Sequence, residues 1–99
     1  MSGTIKSSEG LDIRRRKALF RSWHRGMREM DLVLGGFADQ AIETLTDAEL
    51  DQYERLITEN DADLLAWITG EKPVPFEHAT LLFERILAAG REKFSNEPH

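Results

Sequence analysis

The chain has 99 residues, 40% of them hydrophobic and 31% charged, with a formal net charge of -5 and no cysteine. A chain of that length supports one core, burying roughly 60 to 65% of its unfolded surface, and the lack of cysteine excludes disulfides, thiolate nucleophiles, thiolate zinc sites and cysteine-held iron–sulfur clusters. No segment approaches the ~20 apolar residues of a membrane span and the opening MSGTIKSSEG has no secretory apolar run, so a soluble, cytoplasmic protein is expected.

In chain order the apolar spacings are helical throughout, and no strand pattern, repeat or low-complexity tract interrupts them. Residues 1–10 are expected to be a flexible N-terminal segment, 11–94 a single all-α domain, a small five-helix bundle, and 95–99 a flexible tail. The first helix runs from Leu11 to about Arg25, with Ile13, the stem of Lys17, Phe20 and the ring of His24 on its apolar stripe, widened by Leu19 and Trp23. Met27, Met30, Leu34, Phe37 or Ala38, Ala41 and Leu45 repeat at three and four residues and mark the second helix. Thr46 to Glu49 has the capping-box form, so a third helix begins near Asp47 and faces inward through Leu50, Tyr53, Leu56 and Ile57. Asn60 or Asp61 caps a fourth, with Leu64, Leu65, Trp67 and Ile68 inward and Gly70 as a left-handed C-cap. Lys72 to Pro75 is a loop, and Phe76, Ala79, Phe83, Ile86 and Leu87 mark a fifth helix.

Two glycine sites interrupt this pattern. Gly35-Gly36 lies inside the second helix, where each glycine costs about 1 kcal/mol relative to alanine. The apolar repeat stays in phase across the pair, which predicts a continuous helix with a close helix contact or a local bend. At Gly26 a continuous helix would gain only ~0.2 to 0.5 kcal/mol from an Arg25/Glu29 pair, less than the glycine penalty. Gly26 is therefore expected to end the first helix in the left-handed conformation, with Arg25 at a negative helix terminus and Glu29 in the first turn of the next helix.

Charge is segregated along the chain. Residues 14–28 hold seven of the thirteen Lys and Arg and no acid, whereas residues 29–63 hold eleven Asp and Glu against the single Arg55. Either these are solvated helix faces or they form a polar surface suited to a partner of matching polarity. Asp61 and Asp63 lack the glycine and terminal glutamate of a calcium loop and read as capping residues. His24, His78 and His99 have no metal-site spacing, Trp23 and Trp67 read as core, and no nucleophile–base set or phosphate loop suggests catalysis.

Arg25-Gly26-Met27-Arg28-Glu29 matches the RGxxE motif, and the likeness continues through Met30-Asp31, Phe37, the segment from Leu45 to Glu49, Asp61 to Trp67, Gly70 and the proline loop. Over residues 11–87 the chain resembles the small assembly factors for succinate dehydrogenase, the family of bacterial SdhE and mitochondrial succinate dehydrogenase assembly factor 2. The resemblance implies a five-helix, non-enzymatic domain that binds the flavoprotein subunit of succinate dehydrogenase, and in many organisms that of fumarate reductase. It further implies that the domain promotes covalent FAD attachment to a histidine of that subunit. No tightly bound cofactor, metal, nucleic acid or membrane insertion is implied. Arg25, Gly26 and Glu29 are carried over as the partner-binding corner, with His24, Met27, Arg28 and Asp31 as flanking contacts. The absence of an evident presequence favours a bacterial member. Two other classes are weighed: a helix-turn-helix nucleic-acid binder using the run from Arg14 to Arg28, which the overall acidity opposes, and a toxin-neutralising interaction module.

Overall fold

The computed structural model describes the backbone of residues 10–95 and side chains as far as residue 92; expectations for residues 1–9 and 96–99 lie outside the described residues. Five helices form an all-α bundle: α1 (Ile13–Trp23), α2 (Arg28–Ala41), α3 (Asp47–Leu56), α4 (Asp61–Thr69) and α5 (Leu81–Ser95), with a 3-10 turn at Phe76–His78. No strand occurs among the described residues.

Side-chain caps set most of the starting points. Asp12 accepts the Arg15 N–H at the head of α1, Thr46 and Glu49 form the expected reciprocal capping box on α3, and Asn60 caps α4. Each satisfies amide donors that a helix N-terminus leaves without an intrahelical partner. Gly70 ends α4 at φ 83°, the left-handed C-cap read from the sequence. Thr80 Oγ accepts the Phe83 N–H at the start of α5. The fifth helix thus begins later than expected: Phe76 belongs to the 3-10 turn and is 95% exposed, because Pro75 and the turn that follows it break the helical run.

α2 is the central element, packed against α1, α4 and α5, while α3 also packs on α5. Met30, Val33, Leu34, Phe37, Ala38 and Ala41 are all buried along it. The helix runs unbroken through Gly35-Gly36, and the reason is α1: a Cβ on Gly35 would fall within the indole of Trp23. The glycine penalty is offset by that close crossing. Trp23 anchors its own polar edge through an Nε1–H bond to Asp39 Oδ1 at 3.0 Å.

The crossing also selects which face of α1 is buried, and the expected stripe is corrected here. Ala18, Leu19, Ser22 and Trp23 face inward, whereas Ile13 and Phe20 are 64% and 62% exposed and Lys17 and His24 point to solvent. The helix carries two stripes compatible with 3.6-residue periodicity, and the one with small residues allows the closer approach to α2. Ser22 adds a polar tie inside the core. Its Oγ donates to the Ala18 carbonyl at 2.7 Å and bonds the Tyr53 hydroxyl of α3 at 2.5 Å, within reach of the Leu34 carbonyl of α2. Burial pushes the ionisation of the Tyr53 phenol well up, so it stays a neutral donor and acceptor.

Candidate functional site

The connection between α1 and α2, residues 24–27, holds the motif residues together. α1 stops at Trp23, with His24 at φ -123° as its C-cap, and α2 starts after Met27, which caps it with backbone only. Gly26 does not adopt the left-handed conformation expected for it; among the described glycines only Gly10 and Gly70 have positive φ. The helix is terminated instead by side-chain capture of the turn. Asp31 Oδ1 accepts the Arg25 N–H at 2.6 Å, and Asp61 Oδ2 accepts the Gly26 N–H at 3.1 Å. These carboxylates satisfy amides that a regular helix would have bonded internally, and the turn is fixed without positive φ.

Arg25 is the strut of this corner. Its Nε donates to Asp61 Oδ1 at 2.8 Å, one terminal nitrogen donates to the Ile57 carbonyl and the other to the Glu59 carbonyl at 2.7 Å. The guanidinium thus lies at the negative C-terminal end of α3, while Asp61 occupies the first position of α4, where the helix field favours a carboxylate. The Arg25 and Asp61 side chains are only 10% and 17% exposed. A planar fork with five donors suits three acceptors in such a site; lysine, a point charge, does not.

The motif residues therefore divide into an inward and an outward set. Arg25, expected to extend its guanidinium towards a partner, spends those donors on α3 and α4, and half-buried Asp31, expected as a flanking contact, bonds the turn. Met27 is half-buried against the core. Gly26, Arg28 and Glu29 are exposed, and the Arg28 and Glu29 side chains have no ion pair or hydrogen bond among the described residues. His24 is exposed too; its Nδ1 donates to the Phe20 carbonyl at 2.7 Å and its ring stacks on Phe20 with centroids 3.8 Å apart. A Cβ at Gly26 would meet only Asp61 Oδ2, at 3.8 Å, an ordinary contact. The fold does not require glycine there.

Two participants escape a reading of the sequence. Asp61 reads as a helix cap, yet it grips a turn 36 residues away, a pairing that only the tertiary fold creates. Glu59, Glu77 and His78 bring one possible metal-ligating atom each within 4.8 Å of one another. Glu77 and His78 share the 3-10 turn while Glu59 lies in the connection between α3 and α4, so histidine spacing could not find the group. His78 Nε2 donates to Glu59 Oε2 at 2.8 Å and the ring packs against Trp67, which makes this a buried histidine supported by a carboxylate.

The fold and the corner define a small all-α domain that presents a braced turn between its first two helices. Residues 16–89 match the family described as the flavinator of succinate dehydrogenase. The chain is 35% identical over 85 residues to the FAD assembly factor SdhE of Acetobacter pasteurianus, covering 86% of this chain and 78% of that protein. It is 42% identical over 72 residues to a mitochondrial succinate dehydrogenase assembly factor 2 of Danio rerio, covering 71% of this chain and 46% of that protein. With the corresponding protein of Aedes aegypti the identity is 34% over 100 residues, covering 95% and 62%. The chain belongs to this family of succinate dehydrogenase assembly factors. It spans between about half and just under two thirds of the length of these two mitochondrial relatives and most of the bacterial one. No described helix is long and apolar enough to cross a membrane.

Proposed function

We propose that the chain binds the flavoprotein subunit of succinate dehydrogenase through the corner between α1 and α2, and that binding promotes covalent attachment of FAD to that subunit. The observation that carries this reading is Gly26: exposed, without a positive φ and with room for a side chain, it has no reason within the described packing to be small. A partner surface that approaches the backbone closely supplies that reason. Glu29 and Arg28, exposed and without an ion pair or side-chain hydrogen bond among the described residues, would form charge-assisted bonds across the interface, and His24 would border it.

In this reading Arg25 is a positioning residue. By fixing the turn to α3 and α4 it presents Gly26 and Glu29 as one preorganised surface, which lowers the entropy lost on docking. The factor contributes no reactive group and holds no flavin of its own. It stabilises a flavoprotein conformation in which the partner's own groups are poised to react. The flavoprotein of fumarate reductase is included as a second client of the same surface.

The test is deletion of the gene followed by in-gel flavin fluorescence of the denatured flavoprotein. Flavin signal is expected to fall sharply and to return with the wild-type gene, but not with a Gly26→Leu variant that folds normally. Unchanged fluorescence in the deletion strain would overturn the assignment.

A further inference from the structure

The outward face of α1 is a second unexplained surface. Ile13, Lys17, Phe20 and His24 recur at helical spacing on the side opposite the buried Ala18, Leu19 and Ser22, forming a strip about 16 Å long at 1.5 Å per residue. Its two large apolar side chains are more than 60% exposed, and Phe20 is held in one place by its stack on His24. A lone exposed apolar residue is ordinary, but an ordered aromatic in line with an isoleucine on one helix face is the kind of side chain that anchors an interface.

Charge says what covers it. Arg14 and Arg15 are spent within the chain, Arg14 on Asp51 and Glu54 of α3, Arg15 on Asp12 and the carbonyls of Ile42 and Leu45. Arg16, Lys17 and Arg21, which lie on the apolar strip or along its two edges, have no ion pair or side-chain hydrogen bond among the described residues. The strip ends at His24, two residues before Gly26, so it is continuous with the corner.

We infer that this face of α1 is the second half of the docking surface, and that it seats in an apolar cleft of the flavoprotein bordered by carboxylates, with Phe20 as the anchor. The inference rests on the reading given under Proposed function and adds the chemistry of the partner's surface to it. A nucleic-acid backbone is the poorer match, because a phosphate track would be met by an unbroken row of cations and polar groups, whereas Ile13 and Phe20 alternate with Lys17 and His24 along the strip.

Titration of the full-length chain into the purified flavoprotein subunit of succinate dehydrogenase, followed by calorimetry at several salt concentrations, tests it. Phe20→Ala is expected to weaken binding at least about tenfold with unchanged melting temperature, and Phe20→Tyr to bind nearly as the wild type. Combined Arg16→Glu and Arg21→Glu is expected to weaken binding and remove most of its salt dependence. If Glu29→Ala loses affinity while Phe20→Ala and the charge reversals do not, the α1 surface is refuted and the corner stands. If the wild type shows no binding, both fall. Tight binding of a 20-base-pair duplex that is insensitive to Phe20→Ala would equally overturn the inference.

Discussion

Two glycines, nine residues apart, sit at opposite kinds of contact between α1 and α2. At the crossing, Gly35 is buried beneath the Trp23 indole, and a Cβ would occupy the same space as the ring. At the connection, Gly26 is exposed, and a Cβ would meet nothing closer than 3.8 Å. The first glycine is demanded by the chain's own packing; the second is not, and the proposed docking role is what would account for it. Identical residue types in one helix pair thus separate a glycine that folding requires from one that it does not.

The comparison is most easily broken at the strut behind the connection. Arg25→Ala leaves Asp61 mostly buried without its cation and three acceptors without their donors, and should cost about 3 kcal/mol. Thermal unfolding would then fall by more than about 10 °C, along with flavinylation in cells; a normal melting curve would show the turn to be self-supporting. Gly35→Ala should lose about 2 kcal/mol on chemical denaturation, since overpacking against Trp23 outweighs the helix-propensity gain of about 1 kcal/mol. Gly26→Ala should do the reverse, leaving stability unchanged or raised by up to about 0.5 kcal/mol. A loss above about 1 kcal/mol there would return Gly26 to the fold and remove the main support for a docking role. The smallest effect lies at the head of α1, where the side-chain hydrogen bond from Arg15 holds the Asp12 carboxyl below its ordinary range. A lowered folded-state value means that this contribution is present above the unfolded carboxyl's ordinary value and fades as pH drops through the folded one. Asp12→Asn should therefore lower stability slightly at neutral pH and flatten the acid limb, the difference from the wild type closing once the wild-type carboxyl is protonated.

Local signals in the sequence were sufficient where structure is locally determined. The capping box at Thr46 and the Gly70 C-cap each depend on residues a few positions apart and form as read, and of the two caps read for α4, Asn60 or Asp61, the fold uses Asn60. The continuity of α2 through Gly35-Gly36 was legible from phase alone, although only the fold names Trp23 as the cause. The choice of face on α1 was not legible, because Phe20 and Trp23 both satisfy helical spacing and the packing against α2 decides between them. The corner divides in the same way. Its location follows from the motif, but the inward turn of Arg25 depends on carbonyls at the end of α3 and a carboxylate on α4, which no local pattern connects to residue 25.

The grip of Asp61 on the turn has a consequence for any genetic survey of this protein. Substitutions at position 61, or ones that unravel the end of α3, would release the loop and score as association defects, although none of those residues needs to touch a partner. A map of sensitive positions would consequently outline an epitope larger than the true one. Only variants judged against their own folded fraction would restore its edges.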